Sequence, residues 1–395
     1  MSLFNTRRKL LTIFAFTTAI SCLYSLIQLL HTLFSPELYK KDITQFFLMG
    51  HALRGGANLY APLHDLAAQF DPRMTDWIKV SAYPPIMAVV GLPLSYLPYR
   101  WAVISWMFFE LACLVAAVIL IVKHFGGRDA TTPVLVTVCA FLAWQPLFIE
   151  FYHGQVMIPI LLLLTLVWLA LREGKDIKAG LLLGIVIAIK LYAWPLAIFL
   201  LLKRRWRAPM AAFIVFIAAN ALMVAWVGSA IVYDYYTRVG AQVFAEYKFY
   251  PLNFSAWCIG LRSFGLVGAV LMSVSVLLWS LFLALRSKDF DSGFMIMLAA
   301  ATILQPISWI HYMLTLLPAF CFIANRRKFR TSDLLLGVFL LVLILPGFHH
   351  IAENYPAKAP WPPFLFIIGL MWLIVPKSVL EYSTVSKLVS ARETV

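Results

Sequence analysis

Apolar runs long enough to cross a bilayer recur from one end of this chain to the other, and they constrain the fold more than any motif does. Inside hydrocarbon every backbone amide must be satisfied by the protein itself, so such runs fold as membrane helices. Only 13% of the 395 residues are charged, about half the roughly 25% carried by a water-soluble domain. The expected architecture is an all-α polytopic membrane protein, a single integral membrane domain over residues 1–395.

Twelve spans are predicted, at 10–33, 101–122, 131–148, 155–171, 178–190, 192–202, 208–228, 262–285, 292–306, 309–325, 332–348 and 361–376. The formal charge of +14 would by itself point to nucleic acid, but its distribution points to orientation instead. With the N-terminus in the cytoplasm, 21 of the 32 lysines and arginines fall in short cytoplasmic segments such as KRRWR (203–207) and NRRKFR (325–330), as the positive-inside rule requires. Both termini are then cytoplasmic, and 35–100 and 229–261 become long outer loops of a multi-pass plasma (inner) membrane protein. RRK at 7–9 with the apolar run behind it is too long for a secretory signal and reads as an uncleaved anchor. The five cysteines show no C-x-x-C spacing, so neither a disulfide framework nor a zinc site is expected.

Two segments resist simple helices. YPPIMAVVGLPLSYLPY (83–99) is apolar but holds Pro84, Pro85, Pro93 and Pro98. Counting it as a span would invert every later loop, so it is read as a re-entrant or juxtamembrane element of the first outer loop. Residues 178–202 are flanked by basic loops on both sides, which demands two crossings in 25 residues. A break at IKLYAWP, enforced by Pro195, supplies them, as in the broken helices around membrane binding sites.

Several polar residues then need a reason. Asp42, in KKDITQFFLMGHALRGGANLY (40–60), is either a solvated loop acid or a carboxylate held at the acyl boundary and suited to general-base work. Lys190 lies inside an apolar run with no neighbouring acid in sequence; it either snorkels to the interface or awaits an anionic group, most simply a lipid phosphate. His311, between Trp309 and Tyr312, is a packing histidine or a hydrogen-bond donor to phosphate or hydroxyl. Arg262 at the outer start of its span is a phosphate clamp or a helix anchor. Glu110, an acid within a span, reads as structural, and His349, His350 and Glu353 read as a wet loop rather than metal ligands. GLLLG at 180–184 reads as a helix-packing motif.

No G-x-G-x-x-G, Walker loop or soluble lobe is present to hold a nucleotide donor. An acid, a membrane-depth lysine and aromatic walls on one face suit a substrate with a lipid tail and a phosphate-linked polar head.

The chain resembles glycosyltransferase family 87, the polyprenol-phosphate-mannose-dependent α-1,2-mannosyltransferases and their relatives within the GT-C superfamily. The resemblance rests on DITQFF and LRGGANLY within 42–60, YPPIMA and LPLSYLP within 83–98, HGQV (153–156), AGLLLGIVIAIKLYAWP (179–195), NFS (253–255) and ISWIHY (307–312). It implies a GT-C-like fold and an inverting transfer of a hexose, mannose by family, from a polyprenyl-phosphate sugar to a lipid-linked or cell-envelope glycan at the outer face. It further implies Asp42 as base, Lys190, Arg262 and His311 around the donor phosphate, and Tyr60, Tyr83, Gln155 and Asn253 in contact with sugar or acceptor. The donor and acceptor lipids are the expected partners, with no nucleic acid; no cofactor is expected, and the absence of D-x-D from the outer loops argues for a metal-free reaction. A flippase for lipid-linked sugars or a non-catalytic envelope assembly subunit are the alternatives. The former would show paired half-repeats, which the sequence lacks.

Overall fold

The computed structural model describes residues 2–70, 73–74, 80–125, 131–326, 358 and 360–375. Among the described residues every regular element is helical. In chain order the helices are α1 (Ser2–Leu33), α2 (Ile43–Gly55), α3 (Leu63–Phe70), α4 (Met87–Leu94), α5 (Tyr99–Phe125), α6 (Thr131–Leu142), α7 (Gln145–His153), α8 (Met157–Arg172), α9 (Asp176–Lys190) and α10 (Trp194–Leu202). There follow α11 (Arg207–Val227), α12 (Ser229–Asp234), α13 (Gly240–Tyr247), α14 (Ala256–Arg286), α15 (Phe290–Ile303), α16 (Leu317–Arg326) and α17 (Trp361–Ile374).

Among the described residues, α5, α11 and α14 are each long and apolar enough to cross a membrane, and the bent pair α6–α7 makes a fourth if counted as one span. The continuous helix predicted over 131–148 is therefore broken. Val134–Leu142 and Gln145–His153 meet at 47°, with Trp144 extended and Pro146 in the first turn of α7, a position where proline starts a helix but cannot continue one. The helices at the other predicted positions are shorter: α8 has 16 residues, α15 and α17 have 14 each. The span expected at 332–348 and the GFHHIAEN stretch lie outside the described residues.

Burial separates two kinds of apolar helix. On α15 every residue from Ser292 to Ile303 is buried, as expected of a helix apolar on all sides at the centre of a bundle. On α5, α11 and α14 the outward side chains stay apolar, with Phe108, Phe213 and Leu271 all more than 60% exposed. In water that surface would be an aggregation liability; against lipid it costs nothing.

Short turns make the bundle antiparallel. The turn 173–175, with Gly174 at φ +72°, reverses α8 into α9, so Gln155 and Lys190 reach one end and Arg172 and Asp176 the other. At the break Leu191 and Ala193 take positive φ, 28° and 64°, before Pro195 opens α10. Arg205 Nε then donates to Asp176 Oδ1 at 3.0 Å, so the segment 176–205 leaves one end and returns to it. The small residues of GLLLG seat α9 on α11: a Cβ on Gly180 would sit 2.2 Å from the Ala208 carbonyl oxygen, the close approach such motifs permit. The same far end is closed by Arg172 on Asp291 and Arg326 on Asp289 at 2.8 Å.

Residues 83–99 fold as a proline turn and the eight-residue α4, about 12 Å long and too short to cross hydrocarbon of roughly 30 Å. It packs on α2 at glycine distance: a Cβ on Gly91 would lie 1.7 Å from the Phe46 carbonyl oxygen. This contact holds Tyr83 and the start of α2 together.

Candidate active site

The chain enters the site through a short 3-10 turn, Pro36–Lys40, whose first amides are capped by Ser35. Lys41 follows and is fully buried. Its Nζ donates to Thr32 Oγ1 at 3.3 Å and to the Tyr152 carbonyl, and it stands 4.7 Å from the Tyr152 ring centroid. Burial pushes its pKa down to about 8, against the opposing pull of Glu110 and Glu37. Pinned in this way, the backbone presents Asp42 at the N-terminus of α2.

Asp42 makes no side-chain cap to the backbone amides of its own helix, and its two oxygens are held by side chains, one from α2 and one from the α7–α8 connection. Oδ1 accepts from Gln45 Nε2 at 3.3 Å, and Oδ2 accepts from Gln155 Nε2. The other end of the Gln155 amide, Oε1, accepts from Tyr83 Oη at 2.7 Å and from Lys190 Nζ at 3.3 Å. One amide thus spans an acid from α2 and an ammonium from the end of α9, residues 148 apart in sequence. Lys190 Nζ also stands 4.3 Å from the Tyr312 ring centroid, a cation–π contact. Gln45 Oε1 accepts from Ala82 N at 2.9 Å, tying α2 to the proline turn.

The other predicted residues divide. His311 is 5% exposed, stacks edge-on with Tyr312 and lies within electrostatic range of Lys190. Among the described residues its Nε2 has no hydrogen-bond partner, and a buried polar atom in that state calls for one. Tyr60 sits one layer behind Tyr83, donating to its carbonyl at 3.0 Å and stacking on Tyr235 with centroids 5.5 Å apart. Asn253 is engaged within the protein: Oδ1 accepts from Ser255 N at 3.2 Å and Ser308 N at 3.0 Å, and Nδ2 donates to the Tyr247 carbonyl at 3.2 Å. It pins the loop before α14 to the loop after α15. Arg262 donates through Nη2 to the Tyr250 carbonyl, anchoring the same loop rather than joining the Asp42–Lys190 group.

Two contributors escaped the sequence reading. Lys41 looks like an interface lysine until its burial is seen. Glu150, in FIEFYHGQV, is fully buried, and its Oε1 accepts from Ile158 N at 3.0 Å and from Met157 N. The signal was an acid in an apolar helix five residues before Gln155. Glu110, read as structural, is also fully buried, and among the described residues neither of its oxygens has a hydrogen-bond partner.

Residues 82–255 match the model of Glycosyltransferase family 87. The chain is 27% identical over 320 residues, 77% of its own length and 73% of the relative's, to a polyprenol-phosphate-mannose-dependent alpha-(1-2)-phosphatidylinositol pentamannoside mannosyltransferase of Mycobacterium tuberculosis. A protein of the same description from Mycolicibacterium smegmatis is 27% identical over 250 residues, 60% of this chain and 59% of that one. A polyprenol-phosphate-mannose-dependent alpha-(1-2)-phosphatidylinositol mannoside mannosyltransferase of M. tuberculosis is 24% identical over 318 residues, 73% and 70% of the two chains. No solved structure matches. The matched segment carries Tyr83, Gln155 and Lys190, three of the four side chains that meet at the site; over it the chain is similar to glycosyltransferase family 87, and over most of its length to mannosyltransferases named as polyprenol-phosphate-mannose-dependent, which supports a glycosyltransferase.

Proposed function

We propose that the chain transfers a hexose, mannose in the first instance, from a polyprenyl-phosphate sugar to a lipid-linked or cell-envelope glycan, with inversion, at the outer face of a twelve-span plasma membrane protein. The observation that carries this is the single Gln155 amide bridging the Asp42 carboxylate and the Lys190 ammonium. An inverting displacement needs a proton acceptor on one side of the anomeric carbon and charge stabilisation on the other, and the bridge fixes one group of each kind relative to the other.

In this reading Asp42 takes the proton of the acceptor hydroxyl as its oxygen bonds to the anomeric carbon. The bond from that carbon to the phosphate oxygen breaks, and its electron pair leaves on polyprenyl phosphate. Lys190 faces the growing phosphate charge, and His311 Nε2 supplies a further hydrogen bond to the same group. Tyr83 and Gln155 hold the two sides in register. Phosphate is a fair leaving group, so one carboxylate suffices where cleavage of a sugar–sugar bond uses two. The relatives' names make phosphatidylinositol mannosides the first acceptors to try.

The test is transfer from radiolabelled polyprenyl-phosphate mannose by the purified protein in lipid, with and without EDTA, for wild type and Asp42→Asn. Loss of the base is expected to lower the rate by about 10²–10⁴-fold, and EDTA to leave the wild-type rate unchanged. Equal transfer by the two proteins would remove Asp42 from the role of base.

A further inference from the structure

Gln155 lies in the three-residue connection between α7 and α8, and a connection that short would ordinarily let a long polar side chain sample several rotamers. Here it is held on both sides by one residue. The Glu150 carbonyl accepts from Gly154 N at 2.8 Å and from Gln155 N at 3.2 Å, closing the end of α7 with Gly154 at φ +63°. The Glu150 side chain then reaches past the turn, and Oε1 accepts the first amides of α8, Met157 N and Ile158 N. Trp106 Nε1 fixes the Gln155 carbonyl at 3.0 Å. A carboxylate at a helix N-terminus is favoured by the unpaired amides and the helix dipole, which accounts for an acid in so apolar a setting.

We infer that Glu150 is a positioning residue for transfer: its buried carboxylate braces the Gly154–Val156 turn and so sets the Gln155 amide between Asp42 and Lys190. The inference rests on the reading of that trio as the transfer site. It assigns the effect to reach rather than to charge. The second oxygen, Oε2, has no hydrogen-bond partner among the described residues, and Glu150 lies within electrostatic range of Lys190, so a pure charge role is the competing account.

Two near-isosteric variants separate them. Glu150→Gln keeps the length and an oxygen to accept the Met157 and Ile158 amides but removes the charge. Glu150→Asp keeps the charge but is one methylene too short to reach both amides. Bracing predicts that Glu150→Gln retains kcat within about threefold of wild type while Glu150→Asp loses tenfold or more in kcat, with donor KM little changed. It also predicts that Glu150→Asp costs less than twofold when Gln155 is already alanine, because there is no longer an amide to orient; a general loss of folding would cost the same in both backgrounds. A Glu150→Asp enzyme as active as Glu150→Gln, or an equal loss in both backgrounds, overturns the inference. Failure of the underlying site shows differently, as an active Asp42→Asn enzyme.

Discussion

Replacing Lys190 by methionine removes the only charge on its side chain and keeps most of its apolar stem, so the consequence can be worked from the contacts. The donor phosphodiester carries one negative charge, and the departing polyprenyl phosphate acquires a second. An ammonium about 4 Å from that group is worth about 4 kcal/mol per unit charge at an effective dielectric of about 20. Part is already engaged in the free protein, by the 3.3 Å bond to Gln155 Oε1 and the Tyr312 ring 4.3 Å away, contacts that together are worth roughly 2 kcal/mol. With the second charge up to about half developed at the transition state, the net loss is therefore about 2–4 kcal/mol, or roughly 30- to 1,000-fold in kcat/KM at about 1.4 kcal/mol per decade. Because one charge is present in the bound donor and the other grows during transfer, KM should rise and kcat fall together. Single-turnover transfer from labelled donor, compared with steady-state rates, separates the two. Lys190→Arg keeps the charge in a planar fork and should recover part of the loss. If Lys190→Met stays within threefold of wild type in kcat/KM, the lysine does not face the phosphate.

The remaining predictions concern the frame around the site. Lys41 titrates at about 8 in the fold against an ordinary 10.5, so below pH 8 it is charged in both folded and unfolded chains and its burial costs about 3 kcal/mol. Between pH 8 and 10.5 the folded protein holds fewer protons than the unfolded one, and this penalty shrinks as pH rises. Wild type should therefore gain stability relative to Lys41→Met across that window in melting experiments; parallel curves would refute the burial. Asn253→Ala strips the buried Ser255 and Ser308 amides of their acceptor, costing about 2–4 kcal/mol. It should lower the melting temperature without raising donor KM, whereas a raised KM at unchanged stability would restore Asn253 to the substrate.

The long apolar helices α5, α11 and α14 were legible because apolar runs set them, and the turn at IKLYAWP follows from Pro195 with basic loops on both flanks. Helix length was less legible. Composition says which residues avoid water, but where a helix stops depends on tertiary partners, so AWQP at 143–146 was read through although Pro146 marks the bend. At the site, Asp42 and Lys190 stood out as charges against an apolar background. Their bridge through Gln155 is a contact between distant segments, which one sequence does not display. Lys41 and Asn253 show the converse, since each reads as an accessible polar residue until the carbonyls and amides that enclose it are in place.

The hairpin formed by α9 and α10 has one more consequence, for how deep the chemistry lies. Its two ends are tied by Arg205 and Asp176, and Lys190 is 14 residues beyond Asp176, a climb of about 21 Å at 1.5 Å per residue. Hydrocarbon is roughly 30 Å thick. With the clamp at one boundary, the ammonium stops well short of the opposite headgroups, so a lipid phosphate that meets it must sink below its own leaflet's surface or find the leaflet thinned there. Bilayer thickness then becomes a control on turnover: the enzyme should work best in short-chain lipids and slow as acyl chains lengthen.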